Sequence, residues 1–335
     1  MRLAIQIPCL NEERTLPETL RALPREVEGF EDVIWVVIDD GSTDSTVAIA
    51  RAHGAGHVVS LNGHQGLARA YMAGLDACIA LGADVIVNTD ADNQYDALGI
   101  PLLVAPILSG RADVVVGSRP ISEIAHFSLT KKALQRAGSW VVRSLSGTRV
   151  EDATSGFRAF SRDAAMRLNV FNNYTGTLET LIQAGRSNLR VACVPICING
   201  PTRPSRLMSS SFHYIRRNGL AMLAAYMIYR PVQVFGVLAS LMLIPGALLA
   251  ARYVWFIAQG QGAGHVQSVI ASGVLAICGF LMIGLAVLGH LLAINRRLLE
   301  ELRYQQRKLA PRPPAIPAAT VVVRERVHAE PARQG

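Results

Sequence analysis

From Met1 to about residue 200, short β-branched and apolar runs alternate with stretches of helical periodicity. Leu3 to Ile7, Val33 to Ile38, His57 to Leu61, Asp84 to Asn88 and Asp113 to Val116 read as strands. Helices are expected after Glu12, from Ser42 or Thr43, from Gly66 to Leu81 and from Ala97 to Ser109. This alternation predicts an α/β domain: a mainly parallel sheet with helices on both faces. Ligands of such sheets gather at the carboxyl ends of the strands, where Asn11, Asp39, Asp40, Asp90 and Asp92 fall.

Further on, the pattern changes. Pro231 to Ala251 and Val266 to Leu292 are nearly free of charge, and each reaches the roughly 20 apolar residues needed to cross a bilayer. Two transmembrane helices are expected, with Pro245-Gly246 bending the first and Tyr253 and Trp255 at an interface. Arg216, Arg217 and Arg230 precede the first span, and Arg296, Arg297, Arg303, Arg307 and Lys308 follow the second. The Gln259 to His265 connection has neither Lys nor Arg. By the positive-inside rule both flanks are cytoplasmic. Ser209 to Tyr229 mixes aromatic and aliphatic residues with Arg216, Arg217 and His213; it reads as an amphipathic helix on the membrane surface or as a solvated connector. The expected layout is a catalytic domain over 1–208, an interfacial helix over 209–230, a two-helix membrane region over 231–294, and a basic segment with a disordered tail over 295–335. Met1 leads directly into a strand, so no cleavable signal is read at this end.

Composition narrows the partners. Half of the 335 residues are apolar and the formal charge is +8. The basic residues cluster beside the expected spans, which favours an anionic leaflet over nucleic acid. There is no aromatic-interleaved basic patch and no zinc spacing. The five cysteines form no redox or metal motif, so reduced, buried thiols are expected.

The candidate chemistry begins at Asp90-Ala91-Asp92, where the fourth apolar run stops. Side chains alternate along an extended segment, so both carboxylates lie on one side of it. Mg2+ or Mn2+ takes such oxygens together with phosphate and water. The pair can therefore hold the diphosphate of a nucleotide through a metal; alone, it also reads as a solvated Asp turn.

Other motifs accompany it in a fixed order: Ile7-Pro8-Cys9-Leu10-Asn11-Glu12-Glu13, Val37-Ile38-Asp39-Asp40-Gly41-Ser42-Thr43-Asp44, Asn62-Gly63-His64-Gln65-Gly66-Leu67-Ala68, then Asp90-Ala91-Asp92 and Gly117-Ser118-Arg119. This series resembles a family-2 glycosyltransferase with the GT-A fold. With Thr154-Ser155-Gly156-Phe157-Arg158 and the two C-terminal apolar stretches, it is similar to the polyprenyl-phosphate branch, related to dolichol-phosphate mannose synthase.

The resemblance implies inverting transfer of a sugar from a UDP- or GDP-linked donor to a polyprenyl phosphate, with Mg2+ or Mn2+ as cofactor, at the cytoplasmic membrane face. A homo-oligomer is compatible with it. Pro8, Leu10 and Glu12 then face the nucleotide, and Ile38, Asp39 and Asp40 lie at the base, where an aspartate can accept from a ring N–H. Asp39 and Asp40 also read as a turn-forming pair before Gly41-Ser42. Asp90 and Asp92 hold the metal and diphosphate, Asp92 more directly, with Ala91 between them and Gln94 just beyond. Arg119, Arg158, Ser155, Ser205 and Arg206 match positions around the phosphates, the acceptor phosphate in particular. Asp152 lies where hydroxyl-using relatives keep a base; an orienting role and a turn or cap are both open. In the segment from Gly200 to Arg206, many relatives carry Arg-x-x-Gly-x-Ser-Lys; Gly200 takes the leading arginine's place. The rivals are a glycolipid synthase acting on a lipid hydroxyl and a non-catalytic membrane scaffold.

Overall fold

The computed structural model describes residues 1–119, 139–148, 150–170, 176–200, 224 and 226–309. The expected 209–230 helix and the tail beyond Leu309 lie almost wholly outside these residues, as do Ser205 and Arg206. The chain forms two compact units, one within Met1–Ile215 together with the chain from Arg303, the other within Arg216–Leu302.

The first unit is built on a seven-stranded sheet: β1 (Arg2–Cys9), β2 (Asp32–Asp39), β3 (His57–Ser60), β4 (Val85–Asn88), β5 (Val114–Ser118), β6 (Arg158–Ser161) and β7 (Val191–Pro195), in the order β3-β2-β1-β4-β6-β5-β7. All five expected strands are present. β6 was not expected: it has four residues with Arg and Ser at its ends, too short and polar to give a strand signal. It inserts between β4 and β5, antiparallel to both, so the sheet is mixed. Because β6 runs the opposite way, the turn before it lies at the same sheet edge as the carboxyl ends of β1, β2 and β4.

Helices α1 (Leu16–Ala22), α2 (Thr46–Ala52), α3 (Leu67–Ala80), α4 (Ile100–Leu108), α5 (Arg162–Arg167) and α6 (Gly176–Arg186) cover the sheet. The period-two alternation of β1 divides the core. Leu3, Ile5, Ile7 and Cys9 pack on one face with Leu16, Leu20, Ala50, Ile100 and Leu103; Ala4 packs on the other with Ala70, Leu75, Cys78 and Ala164. In β6 and its approach, Phe157 joins the first layer and Phe160 the second.

In the second unit, α7 (Pro231–Ala258) and α8 (Val266–Leu309) are long and apolar enough to cross a membrane. α7 runs through Pro245 as one continuous helix. Small residues allow close approach of the two helices: a Cβ on Gly246 would lie 3.2 Å from Leu275 Cβ, and one on Gly279 only 2.5 Å from Leu243 Cγ. α8 extends well past the expected end near Leu292. Its last turns belong to the first unit, where the Tyr304 hydroxyl donates to Asp163 Oδ1 at 2.6 Å. Arg307 there donates to the carbonyls of Met166 and Leu168 at 2.8 and 2.9 Å and to Asp76 Oδ1 at 2.5 Å. Cys9 and Cys78 are buried as expected, whereas Cys197 is exposed.

Candidate active site

The loops after β1 and β2 are stapled to each other. Asn11, at φ 53°, accepts from Thr43 N through its side chain at 2.8 Å, while its own N–H donates to Ser42 Oγ at 2.9 Å. Glu13 N donates to Asp44 at 3.1 Å, and Glu13 Oε2 accepts from Ser45 N at 3.2 Å. Glu12 is buried, donates from its N–H to Thr46 Oγ1 and accepts from Thr15 Oγ1. Its carboxylate thus lies against Thr15, just ahead of α1. Ile38 is fully buried beside Gly74, and Pro8 is also buried, while Leu10 is half-buried.

Asp39 and Asp40 divide their work. Asp39 Oδ1 accepts from Ser42 N at 3.0 Å, forming the turn that is one of its two readings. Asp40 reaches to the next loop: Oδ1 accepts from Gln65 N at 2.7 Å, and Oδ2 accepts from Gly66 N at 3.0 Å and contacts His64 Nδ1 at 2.7 Å. The loops meet where only glycine fits. Gly41 has φ 77°, and a Cβ there would lie 2.5 Å from Gly63 C. Asp40 thus organises the Gly63–Gly66 wall.

Asp90 and Asp92 follow β4, half-buried, with Ala91 buried between them. Asp92 Oδ1 accepts from Gln94 N at 3.2 Å. A reporter of the local field is the Cys9 thiol. Burial first, then the charges of Glu12, Asp39, Asp44 and Asp90, push it well up. These strand ends form a negative edge, and two hard carboxylates there fit a divalent cation. Among the described residues, no group of three or more His, Cys, Asp and Glu is placed to hold a metal. Phosphate and water would complete the shell around Asp90 and Asp92.

Arg119, just beyond β5, forms a forked ion pair with Asp152, Nε to Oδ2 at 2.6 Å and Nη2 to Oδ1 at 3.0 Å, and Nη2 also donates to Thr154 Oγ1 at 2.8 Å. The Arg119 side chain keeps 16% of its surface exposed, against 1% for Asp152. Burial alone would raise the Asp152 carboxyl. The hydrogen bond and charge of Arg119, with help from Thr154, outweigh it and hold the group below the usual carboxylate range. The orienting role, open from the sequence, is the one this geometry supports; a carboxylate so held is a poor proton acceptor.

Two expectations need correction. Arg158 is 1% exposed, and its guanidinium donates to the carbonyls of Ser155, Thr177 and Ala153 and to Thr180 Oγ1 at 2.7–2.8 Å. It is an internal strut at the start of β6, with no surface for the acceptor phosphate. Ser155 is 0% accessible, and its Oγ accepts from Phe157 N.

Sequence reasoning missed Asn88, Tyr95, Gly156 and Asn199. Asn88 Nδ2 donates to Gly156 O at 2.7 Å, and Gly156 N donates to the Tyr95 hydroxyl at 3.0 Å. Asn199 ties the Asp-rich loop from the other side, through Asn199 N to Gln94 O and Nδ2 to Asn93 O, both at 2.9 Å. The motif Thr154–Arg158 hinted at such a contact, but nothing local indicated its partner.

A mixed sheet with an acidic strand edge and an arginine beside it suits a nucleotide-sugar glycosyltransferase, and the comparisons with known proteins show that class. The model of Glycosyl transferase family 2 matches residues 4–168, and the chain belongs to that family. Undecaprenyl-phosphate mannosyltransferase of Micrococcus luteus is 31% identical over 58% of this chain and 83% of its own length. UDP-N-acetylglucosamine--dolichyl-phosphate N-acetylglucosaminyltransferase of Methanococcus voltae is 30% identical over 57% of this chain and 82% of its own. The fold also matches glucosyl-3-phosphoglycerate synthase of Mycobacterium tuberculosis, with a TM-score of 0.53 and 24% identity over 66% of this chain and 79% of that one. A structure of that enzyme with Mg2+ and uridine diphosphate matches at a TM-score of 0.50, covering 66% and 78% at 24% identity.

Proposed function

We propose that this protein transfers a sugar, with inversion, from a nucleotide-diphosphate sugar to a polyprenyl phosphate at the cytoplasmic face of a membrane, α7 and α8 being its spans. The observation that carries this reading is the Arg119–Asp152 pair. Asp152, at the position where the resemblance implies a base in hydroxyl-using relatives, is buried, paired with Arg119 and held ionised. A phosphate monoester, with a second pKa near 6, is largely dianionic at neutral pH and needs no such base. The names of the Micrococcus and Methanococcus relatives, both polyprenyl-phosphate transferases, point the same way.

In this reading, the walls built by Asp39 and Asp40 receive the base, with Pro8, Leu10 and Glu12 lining the approach to the nucleotide. Asp90 and Asp92 hold Mg2+ or Mn2+, and Gln94 lies beside the diphosphate. Bound there, the cation neutralises charge that develops on the leaving nucleotide diphosphate. Arg119, held in register by Asp152 and Thr154 through Nε and Nη2, offers Nη1 to phosphate oxygens, and a guanidinium stays charged at any working pH. Ser205 and Arg206 are proposed to join it at the acceptor. A lipid phosphate oxygen attacks the anomeric carbon as the bond to the diphosphate breaks.

The test is transfer of radiolabelled sugar from a panel of UDP- and GDP-sugars into undecaprenyl phosphate, with Mg2+ or Mn2+. An acid-labile, lipid-soluble product made by the wild type and absent with Asp92→Ala is expected. Donor-dependent transfer to a lipid hydroxyl instead would overturn the acceptor assignment, and undiminished product from Asp92→Ala would overturn the metal assignment.

A further inference from the structure

Tyr95 takes no part in the scheme above, yet it is 8% exposed and lies three residues beyond Asp92. Its ring stacks on Phe157, centroids 5.1 Å apart and planes at 12°, so the phenol is fixed in direction. The hydroxyl accepts from Gly156 N at 3.0 Å, and the carbonyl of the same glycine accepts from Asn88 Nδ2 at 2.7 Å. Asn88 is itself held by Gln6 Nε2 at 2.9 Å in the core. The backbone of Gly156 is thus pinned at both its donor and its acceptor.

What the pinned glycine faces is Asp90. A Cβ added to Gly156 would lie 3.1 Å from Asp90 Oδ1 and 3.2 Å from Oδ2. The turn before β6 is therefore a wall against the Asp90 carboxylate, and a side chain at Gly156 would displace that carboxylate by a few tenths of an ångström. Burial pushes the Tyr95 phenol up to about 12, so it stays neutral and adds no charge beside the acidic edge.

We infer that Tyr95 is a positioning residue: through the backbone of Gly156 it sets the placement of Asp90, and thereby the affinity of the Asp90–Asp92 pair for a divalent cation. This rests on the donor-site reading above. It makes the Thr154–Phe157 turn part of the metal and diphosphate site, with Arg158 as the strut beneath it.

The experiment is Mn2+ binding to the full-length protein in detergent with UDP present, read as free Mn2+ by electron paramagnetic resonance, alongside UDP affinity in EDTA. Tyr95→Phe keeps the ring stack and deletes the hydroxyl. It is expected to melt near wild type, to raise the Mn2+ dissociation constant five- to twentyfold, and to leave metal-free UDP affinity unchanged. Gly156→Ala, whose added methyl meets Asp90 first, is expected to raise the same constant and provides the test if Tyr95→Phe melts early. An unchanged Mn2+ constant in a folded Tyr95→Phe, or equal loss of metal-free UDP affinity, overturns the inference. Mn2+ binding that responds to Tyr95 without any transfer to prenyl phosphate sinks the acceptor reading and leaves this one standing. Prenyl transfer with an unresponsive Mn2+ constant does the reverse. A wild type that binds no Mn2+ with UDP, and none with GDP in its place, overturns both.

Discussion

Arg119 and Asp152 meet through two parallel contacts, 2.6 Å and 3.0 Å long, in a place where Asp152 is sealed from solvent and Arg119 is not. One partner is all support and the other keeps a working face. Removing the support should therefore damage both stability and transfer. Asp152→Asn is expected to lower stability by about 3–5 kcal/mol, the usual result of breaking a buried pair, and to raise the acceptor KM. Thermal melts and initial rates check this.

The same pair sets a pH signature. Asp152 has its carboxyl held below its ordinary value of about 4. Its stabilising contribution is present above that value and is lost as pH falls through the lower folded one. Melting midpoints of wild type should fall more steeply than those of Asp152→Asn as pH drops below about 4.

Transfer rates should follow the acceptor rather than a protein base. With a phosphate acceptor the rate is expected to decline below about pH 6, where the second phosphate ionisation reverses, and to be level from pH 7 to roughly 8.5. A pH–rate profile that keeps this acid limb in Arg119→Lys while losing rate would place the limb on the acceptor. A limb that moves with Arg119 or Asp152 would not fit.

Arg158 separates a strut from a ligand. Arg158→Met leaves the carbonyls of Ala153, Ser155 and Thr177 without their buried donor. A loss of about 2–4 kcal/mol is expected from such unpaired groups, with acceptor KM little changed in the fraction that stays folded. A phosphate ligand would show the opposite pattern: normal melting and a raised acceptor KM.

Gly41→Ala tests the junction of the two nucleotide-side loops. The φ of 77° and a Cβ only 2.5 Å from Gly63 C leave no room for a methyl. The substitution is expected to cost about 1–3 kcal/mol in backbone strain and to raise donor KM several-fold, as Asp40 loses its grip on Gln65 and Gly66. Isothermal titration with UDP and GDP reads that loss directly.

Much of this was legible in advance. The strands announced themselves because four to eight buried apolar residues leave an unambiguous pattern, and Asp90-Ala91-Asp92 stood out because it interrupts one. β6 and the wall at Gly156 did not, since a four-residue strand with polar ends has no periodicity and a glycine carries no chemistry of its own. Arg158 misled for a related reason: an arginine beside a motif looks the same in sequence whether its guanidinium faces a ligand or three carbonyls.

By itself, then, the sequence determined the α/β class, the acidic strand edge, the two long apolar helices and the family, all properties of residue type and spacing along one stretch of chain. Only the tertiary structure decided that Asp152 is buried against Arg119 and serves it, and that Tyr95 reaches Asp90 through Gly156. Those are contacts between residues 33, 61 and 66 positions apart. They depend on β6 entering the sheet against the direction of its neighbours, which brings the turn before it to the edge where β4 ends.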